Sequence, residues 1–460
     1  MYHKIQEVII IMNSKNGNMT EGSIIKPILS FVYPVLLTAL FQNLYNAFDA
    51  MMVGKLASNG KYALGAVGSM GSMIDLFTGF FMGMSAGACV IIAQNYGAKD
   101  KKALSDSVHT SIALSIIIGA IVSILGVFLS PFAIKITNSP PEVAPIAESY
   151  LRIIFLGMIP TTVYNFGAGI LRAVGDSKRP LVYLVISSIF NIVFNYIFIV
   201  FFDMSANGVA TATVIAETVS AFLVIMRLMR TNEDYKLHIK KIRIHPNVVK
   251  KTFRLGIPSG LQATTFSISN VIVQAEFNSF GASVVAARAA VSKFESFAWA
   301  IAYSFGIAAT TFAGQNKGAM KFDRIKKGMW VSLLSAVIAL MTASAISILF
   351  SENIIGIFNS DPEVISIGKD IILVMMSCYF LCGVMETLSG TIRGSGAPLF
   401  PMISSMLGIV GGRLVWIFTM KHFFPGNLTM LMMAYPVSWT VICTVLFMFY
   451  KKGRNHWLYF

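Results

Sequence analysis

Charge is what this sequence has least of. Only 12% of its 460 residues are charged, about half the roughly 25% of a soluble domain. A chain of this length with so few charges cannot cover a water-facing surface, which excludes the soluble classes before any motif is read. Cysteine is scarce too. Cys89, Cys378, Cys382 and Cys443 all lie in apolar stretches, none in a zinc-ribbon setting, and Cys378 and Cys382 are spaced for one helix face. They read as core or lipid-facing residues rather than as metal ligands or redox centres. The histidines number six, and the sequence holds neither H-E-x-x-H nor a G-x-x-x-x-G-K-[ST] phosphate loop. ATP-driven transport by this chain is therefore not expected, nor is an enzyme activity or a bound cofactor. A cleavable signal peptide is not expected either: the first twenty residues carry charges and amides, with one short apolar run from Val8 to Met12. Met12 and Met19 are alternative starts to Met1.

What is present is apolar. Hydrophobic residues make up 55% of the chain, and the mean hydropathy is +0.70. A helix crossing a bilayer needs about 20 mostly apolar residues. Twelve such runs occur, near 25–53, 62–95, 103–135, 143–171, 180–202, 207–230, 248–279, 283–314, 324–357, 364–392, 398–420 and 428–450. The expected class is an all-α polytopic membrane protein. A net charge of +15 would suggest nucleic acid in a soluble protein. Here the basic residues sit at helix ends and in loops, so the partner expected is the bilayer and not nucleic acid. With the N-terminal tail inside, 27 of the 36 lysines and arginines fall on one side, nine of them between Arg227 and Arg254. By the positive-inside rule that side is the cytoplasm, and both termini lie there.

A repeat runs through the chain. Ser139-Pro-Pro-Glu-Val143 answers Ser360-Asp-Pro-Glu-Val364, Gln94 answers Gln315, Leu171-Arg172 answers Ile392-Arg393, Gly175 answers Gly396, and Pro180 answers Pro401, all 221 residues apart. Near the start the offset slips to 224, where Pro34 answers Pro258. A constant offset over several segments signals duplication. The expected organisation is a cytoplasmic tail (1–24), a six-helix bundle (25–230), a basic cytoplasmic linker (231–247), a second six-helix bundle (248–450) and a tail (451–460). Six spans per half is an even number, so both halves enter from the same side, and the pseudo-two-fold axis is expected along the membrane normal.

Asp49 is the residue that asks for chemistry. It lies inside the first span, where an ionised carboxylate costs about 2.5–3.5 kcal/mol on insertion scales, and no cation lies one helical turn away. Such a residue faces a water-filled cavity, where it takes up a proton or a cation. The plainer alternative is a helix-end carboxylate near Lys55 and Lys61. Asn165, Asn191, Asn195 and Thr213 form a polar set that suits it, with Asn191 and Asn195 one turn apart on one face. Amide and hydroxyl oxygens coordinate a hard cation or bond a carboxyl group. Ordinary interhelical hydrogen bonding is the competing explanation. Secondary candidates are Glu217, Glu276, Glu386 and Arg413. Glu276 and Glu386 read as deep, Glu295 as pairing with Arg288 or Lys293, and Arg413 as a structural anchor. Asp75 is a further acid in the second span. Pro34, Pro160, Pro258 and Pro436 fall inside spans, where they can kink helices.

The motifs Gln42-x-x-Tyr45-x-x-x-Asp49-x-x-x-Val53-Gly54, Ala93-Gln-Asn-Tyr-Gly97, Pro160 to Asn165 and Leu171-Arg-Ala-Val-Gly-Asp176 occur in order in the first half. The second half carries Gly256-Ile-Pro-Ser-Gly260, Gly314-Gln-Asn316 and Ile392-Arg-Gly-Ser-Gly396. In this order and spacing the chain resembles the multidrug and toxic compound extrusion (MATE) family of bacterial type, over essentially its whole length. The resemblance implies twelve helices in two bundles facing a central cavity. It also implies export of amphiphilic, often cationic organic compounds across the inner membrane in exchange for protons or sodium ions, by a chain expected to act as a monomer. It implies an N-lobe cation site at Asp49, Asn165, Asn191, Asn195 and Thr213. The chain departs from the family where many relatives have aspartate at the position of Asn195. One carboxylate in place of two favours protons over sodium at Asp49, and Glu217 stands where relatives often have an amide. The alternative is a flippase for a lipid-linked oligosaccharide, which calls for basic groups inside the spans. Arg288, Lys293 and Arg413 are the candidates for them.

Overall fold

Long apolar runs become long helices because the bilayer offers no water to an unpaired backbone group. A computed structural model of the chain describes residues 18–137 and 139–453. Lys4, Lys15, Met1, Met12 and Arg454 lie outside the described residues, and so does the side chain of Asp75. The first half consists of α1 (Ile25–Leu56), α2 (Gly60–Gly97), α3 (Lys101–Ile136), α4 (Ala144–Leu156 and Met158–Ala173), α5 (Lys178–Tyr196, extended by a wide turn over Ile197–Phe201) and α6 (Ser205–Arg230). The second consists of α7 (Pro246–Asn278), α8 (Ala282–Gly318), α9 (Phe322–Leu349), α10 (Pro362–Cys378 and Phe380–Gly394), α11 (Leu399–Met406 and Val415–Phe423, joined by wide turns over Leu407–Leu414) and α12 (Leu428–Met432 and Ala434–Gly453). Among the described residues nine helices are long and apolar enough to span, and the bent pairs α4 and α10 add two. The twelfth, α7, has the length at 33 residues, but Lys250, Lys251 and Arg254 begin it and Gln274 and Glu276 end it.

The faces of α3 show how the sequence sorts itself. Ile117, Ile121, Ile124, Phe128 and Phe132 are exposed along one side. Ser111, Ser115, Gly119, Ser123, Gly126 and Ser130 are buried along the other. A soluble helix would reverse this. In a membrane the lipid tails are as apolar as leucine, and small residues let helices approach closely. Gly126 is required for that approach: a Cβ there would stand 2.2 Å from the Phe155 ring of α4.

The duplication appears at atomic detail. After α2, Lys99 has φ 56°, and after α8, Met320 has φ 58°, again 221 residues apart. The hydrogen bonds match: Asp100 N–H donates to Asn95 O (3.2 Å), and Lys321 N–H to Asn316 O (2.8 Å). Gly175 and Gly396, both at φ 88°, close α4 and α10 in the same way. There Asp176 N–H donates to Leu171 O (2.9 Å) and Ala397 N–H to Ile392 O (3.1 Å). The fourth span of each half is bent, by 48° in α4 and 40° in α10, and the fifth of each holds the wide turns.

The described residues divide into two compact units, one built on 37–256, the other on 19–36 and 257–453. The boundaries thus fall inside α1 and α7, where a division at the 231–247 linker was expected from sequence. The reason is packing. Met19, Ile28, Phe31, Val32 and Val35 share a core with Phe305, Ala308, Phe312 and Ala336 of the second unit, and Arg324 donates to the carbonyls of Met19, Glu21, Gly22 and Ser23. Leu255 in turn packs with Val90 and Ile91 of the first unit. The linker is bound to the end of α3, with Thr110 Oγ donating to Arg243 O (3.2 Å) and His238 N–H to His109 Nε2 (3.0 Å).

Candidate functional site

Three helices of the first unit each contribute two residues one turn apart: Tyr45 and Asp49 from α1, Asn191 and Asn195 from α5, Thr213 and Glu217 from α6. Spacing of four puts each pair on one helix face. Asp49 is 8% exposed, and Asn191 and Asn195 are fully buried. Asn195 Nδ2 donates to Asp49 Oδ1 at 2.6 Å and to Asn191 Oδ1 at 2.9 Å. Thr213 Oγ donates to Asp49 Oδ2 at 3.5 Å. Asn191 Nδ2 donates to the Tyr45 hydroxyl at 3.3 Å and to Thr213 Oγ at 3.4 Å. Asp49 sits about two turns before the end of α1 at Leu56, and it has no ion-pair partner among the described residues. The helix-end alternative, with Lys55 or Lys61 as neighbour, does not describe this position.

Two features of the network bear on chemistry. Asn195 Oδ1 is buried without a hydrogen-bond partner among the described residues, an acceptor that a buried site normally fills. Asp49 Oδ2 accepts at long range from Thr213. A proton or cation arriving at Asp49 therefore meets one weakly engaged carboxylate oxygen and one open amide oxygen. Among the described residues no group of three or more His, Cys, Asp or Glu side chains could hold a metal ion.

Asn165 is placed differently. Its Nδ2 donates to Thr161 O one turn back on its own helix (2.9 Å), while its carbonyl accepts from Ser85 Oγ (3.0 Å). It packs α4 against α2 and makes no described contact with Asp49. Tyr45 is the member the sequence reading did not assign to the site. The signal was its place four residues before Asp49.

The remaining candidates are scattered. Glu276 is held by Lys421 Nζ at 2.9 and 3.0 Å in the last turn of α7, so it is not a deep acid. Glu386 is 7% exposed, its carboxyl lying over Gly306 so closely that a Cβ there would meet Oε2 at 2.8 Å. Glu295 pairs with Arg288 at 2.7 Å, while Lys293 is exposed. Arg413 is 1% exposed and donates to Ser438 Oγ, Ser269 Oγ and Asn270 Oδ1 at 3.1–3.2 Å. Its guanidinium lies 4.4 Å from the centre of the Tyr435 ring, a favourable cation–π distance.

The MatE family model matches residues 34–197 and 258–416. The chain belongs to the MatE family. The matched segments follow the repeat, and the first contains Tyr45, Asp49, Asn191 and Asn195. This MatE chain is 27% identical over 444 residues to the probable multidrug resistance protein YoeA of Bacillus subtilis, with 94% of each chain covered. It is 26% identical to the probable multidrug resistance protein NorM of Thermotoga maritima, over 87% of this chain and 86% of that one. Its fold matches that of a MOP superfamily transporter from Pyrococcus furiosus (TM-score 0.89, 20% identity, 96% and 99% covered). It also matches an outward-facing multidrug resistance MATE family transporter (TM-score 0.87, 20% identity, 96% and 99% covered). The MatE chain is thus an all-α, multi-pass membrane protein of twelve helices in two six-helix bundles.

Proposed function

We propose that this MatE protein is a secondary active antiporter that exports amphiphilic organic cations in exchange for protons taken up at Asp49. One observation carries the reading: a buried carboxylate inside a span, unpaired by any described cation, held by neutral donors beside an open acceptor. Antiport requires a group that binds cation or substrate, each at the expense of the other, and such coupling is reciprocal. Asp49 does this by changing charge, neutral when protonated or ion-bound and negative when free. The multidrug resistance relatives support organic substrates. Protons are favoured over sodium because Asn195 turns an N–H toward Asp49 where a second carboxylate would add an oxygen ligand and a negative charge. Hard cations are held by oxygen ligands.

The protein works from the plasma membrane, with both termini and the 231–247 linker in the cytoplasm, the side that holds most of the basic residues. It acts as a monomer and needs no cofactor. The flippase reading gains no support from the basic groups inside the spans: Arg288 is neutralised by Glu295, and Arg413 is enclosed by hydroxyls and Tyr435.

The test is efflux of ethidium from loaded proteoliposomes under an imposed proton gradient and, separately, a sodium gradient. Proton-driven efflux with no sodium effect supports the reading. Efflux driven by sodium alone, or by neither, overturns it.

A further inference from the structure

Glu217 stands one turn from Thr213, and its Oε2 is buried with no hydrogen-bond partner among the described residues. An unpartnered buried carboxylate oxygen calls for an explanation, and a stretch of membrane helix does not keep a carboxylate for packing. The residues around it lie in two tiers. Asp49, Asn195 and Thr213 form one. Tyr45, Asn191 and Glu217 form the next, each reached by one helical turn in the same direction along its helix, toward the Arg227–Arg230 end of α6. The tiers are joined by Asn191 Nδ2, which reaches both the Tyr45 hydroxyl (3.3 Å) and Thr213 Oγ (3.4 Å). The Tyr45 side chain lies within electrostatic reach of both Asp49 and Glu217, and Tyr164 of α4 lies within reach of Glu217.

We infer that Glu217 is a second proton-carrying group, which receives the proton from Asp49 and passes it toward the Arg227–Arg230 end of α6. The inference rests on proton exchange at Asp49. In the step the Asp49 O–H bond breaks, and an intervening hydroxyl, that of Thr213 or Tyr45, accepts this proton and releases its own. An O–H bond forms on Glu217, and Asp49 is left as a carboxylate. One negative charge moves from Glu217 to Asp49, and no oxidant or co-reactant is involved. The titratable groups within electrostatic reach of Glu217 are Tyr45 of α1 and Tyr164 of α4. Tyr150 of α4 lies within electrostatic reach of Tyr45, and Arg172 at the end of α4 within reach of Tyr164. No described lysine or arginine pairs with Glu217, so no fixed ion pair holds its charge in place.

The experiment measures proton-driven ethidium efflux by proteoliposomes containing the wild type, Glu217→Gln, Glu217→Asp or Asp49→Asn. Loss of a positioned proton carrier costs a factor of about ten or more in turnover. Glu217→Gln should lower the maximal rate at least about tenfold and leave the half-saturating ethidium concentration within about twofold of wild type. Glu217→Asp, which keeps a carboxyl group, should recover most of the rate. A merely structural role predicts instead that both variants lose rate and affinity together. That outcome overturns the relay, as does a wild-type rate in Glu217→Gln when Asp49→Asn is inactive. If wild-type vesicles show no proton-driven efflux, the exchange at Asp49 fails and the relay fails with it.

Discussion

Removing the charge of Glu295 should lower the thermal stability of the second unit while leaving its helices in place. Glu295 and Arg288 form an ion pair at 2.7 Å, with side chains 15% and 9% exposed. Arg288 also reaches the Tyr435 hydroxyl at 3.5 Å, and its guanidinium lies 5.7 Å from the centre of the same ring that Arg413 approaches to 4.4 Å. Glu295→Gln leaves a buried guanidinium without its counter-charge and close to a second one. Breaking a buried pair from one side costs about 3–5 kcal/mol, and the amide oxygen of Gln keeps the loss near the low end. For a cooperative unit of this size 1 kcal/mol corresponds to about 2–4 °C, so Tm should fall by roughly 6–12 °C. Cys382, fully buried in the same unit, reports the transition through a thiol-reactive dye in detergent. The double variant Arg288→Met/Glu295→Leu should recover at least half of the loss, because an apolar pair of similar volume is often neutral. A shift under 2 °C for Glu295→Gln would refute the reasoning, as would a double variant no better than the single.

Asn195→Asp places a second carboxylate against Asp49 and should let a sodium gradient drive efflux. One unit charge at 4 Å is worth about 4 kcal/mol at an effective dielectric of 20, so roughly a tenfold gain in sodium dependence survives even where desolvation offsets most of it. The measurement is the sodium-driven efflux rate, and no gain would count against Asn195 as the determinant of ion choice. A reporter inserted after Asn247 should read as cytoplasmic, and an external reading would reverse the orientation of every span.

The spans were legible because composition and length decide them: the run at 62–95 became Gly60–Gly97, and that at 207–230 became Ser205–Arg230. The repeat was legible because its offset is constant, and it resurfaced as paired backbone conformations at Lys99 and Met320. Two of the breaks were legible at prolines: the 48° bend of α4 falls at Gly157, three residues before Pro160, and the break in α12 at Met433, three before Pro436, where the missing N–H and the ring interrupt the helical ladder. The break in α10 falls at Tyr379, with no proline or glycine at the break. The split of α1 at Leu36 depends on contacts some 300 residues away, which no local pattern encodes. Asp49, Asn191, Asn195 and Thr213 could be grouped from sequence because polar groups in spans are few, and the structure brings their side chains together. Asn165 was grouped with them on its polarity and on the family resemblance, and its amide N–H donates within its own helix. Tyr45 escaped because a tyrosine in a membrane helix passes for an apolar residue until its hydroxyl finds a partner.

The account turns on Asp49, and Asp49→Asn tests it most directly. The substitution removes a charge from the interior and keeps the shape of the side chain, so the protein should insert and purify as the wild type does. Proteoliposomes containing it should show no ethidium efflux above protein-free vesicles when a proton gradient is imposed. Proton-driven efflux at the wild-type rate from a well-folded Asp49→Asn protein would contradict the account, and Glu386 of the second unit would become the next carboxyl group to test.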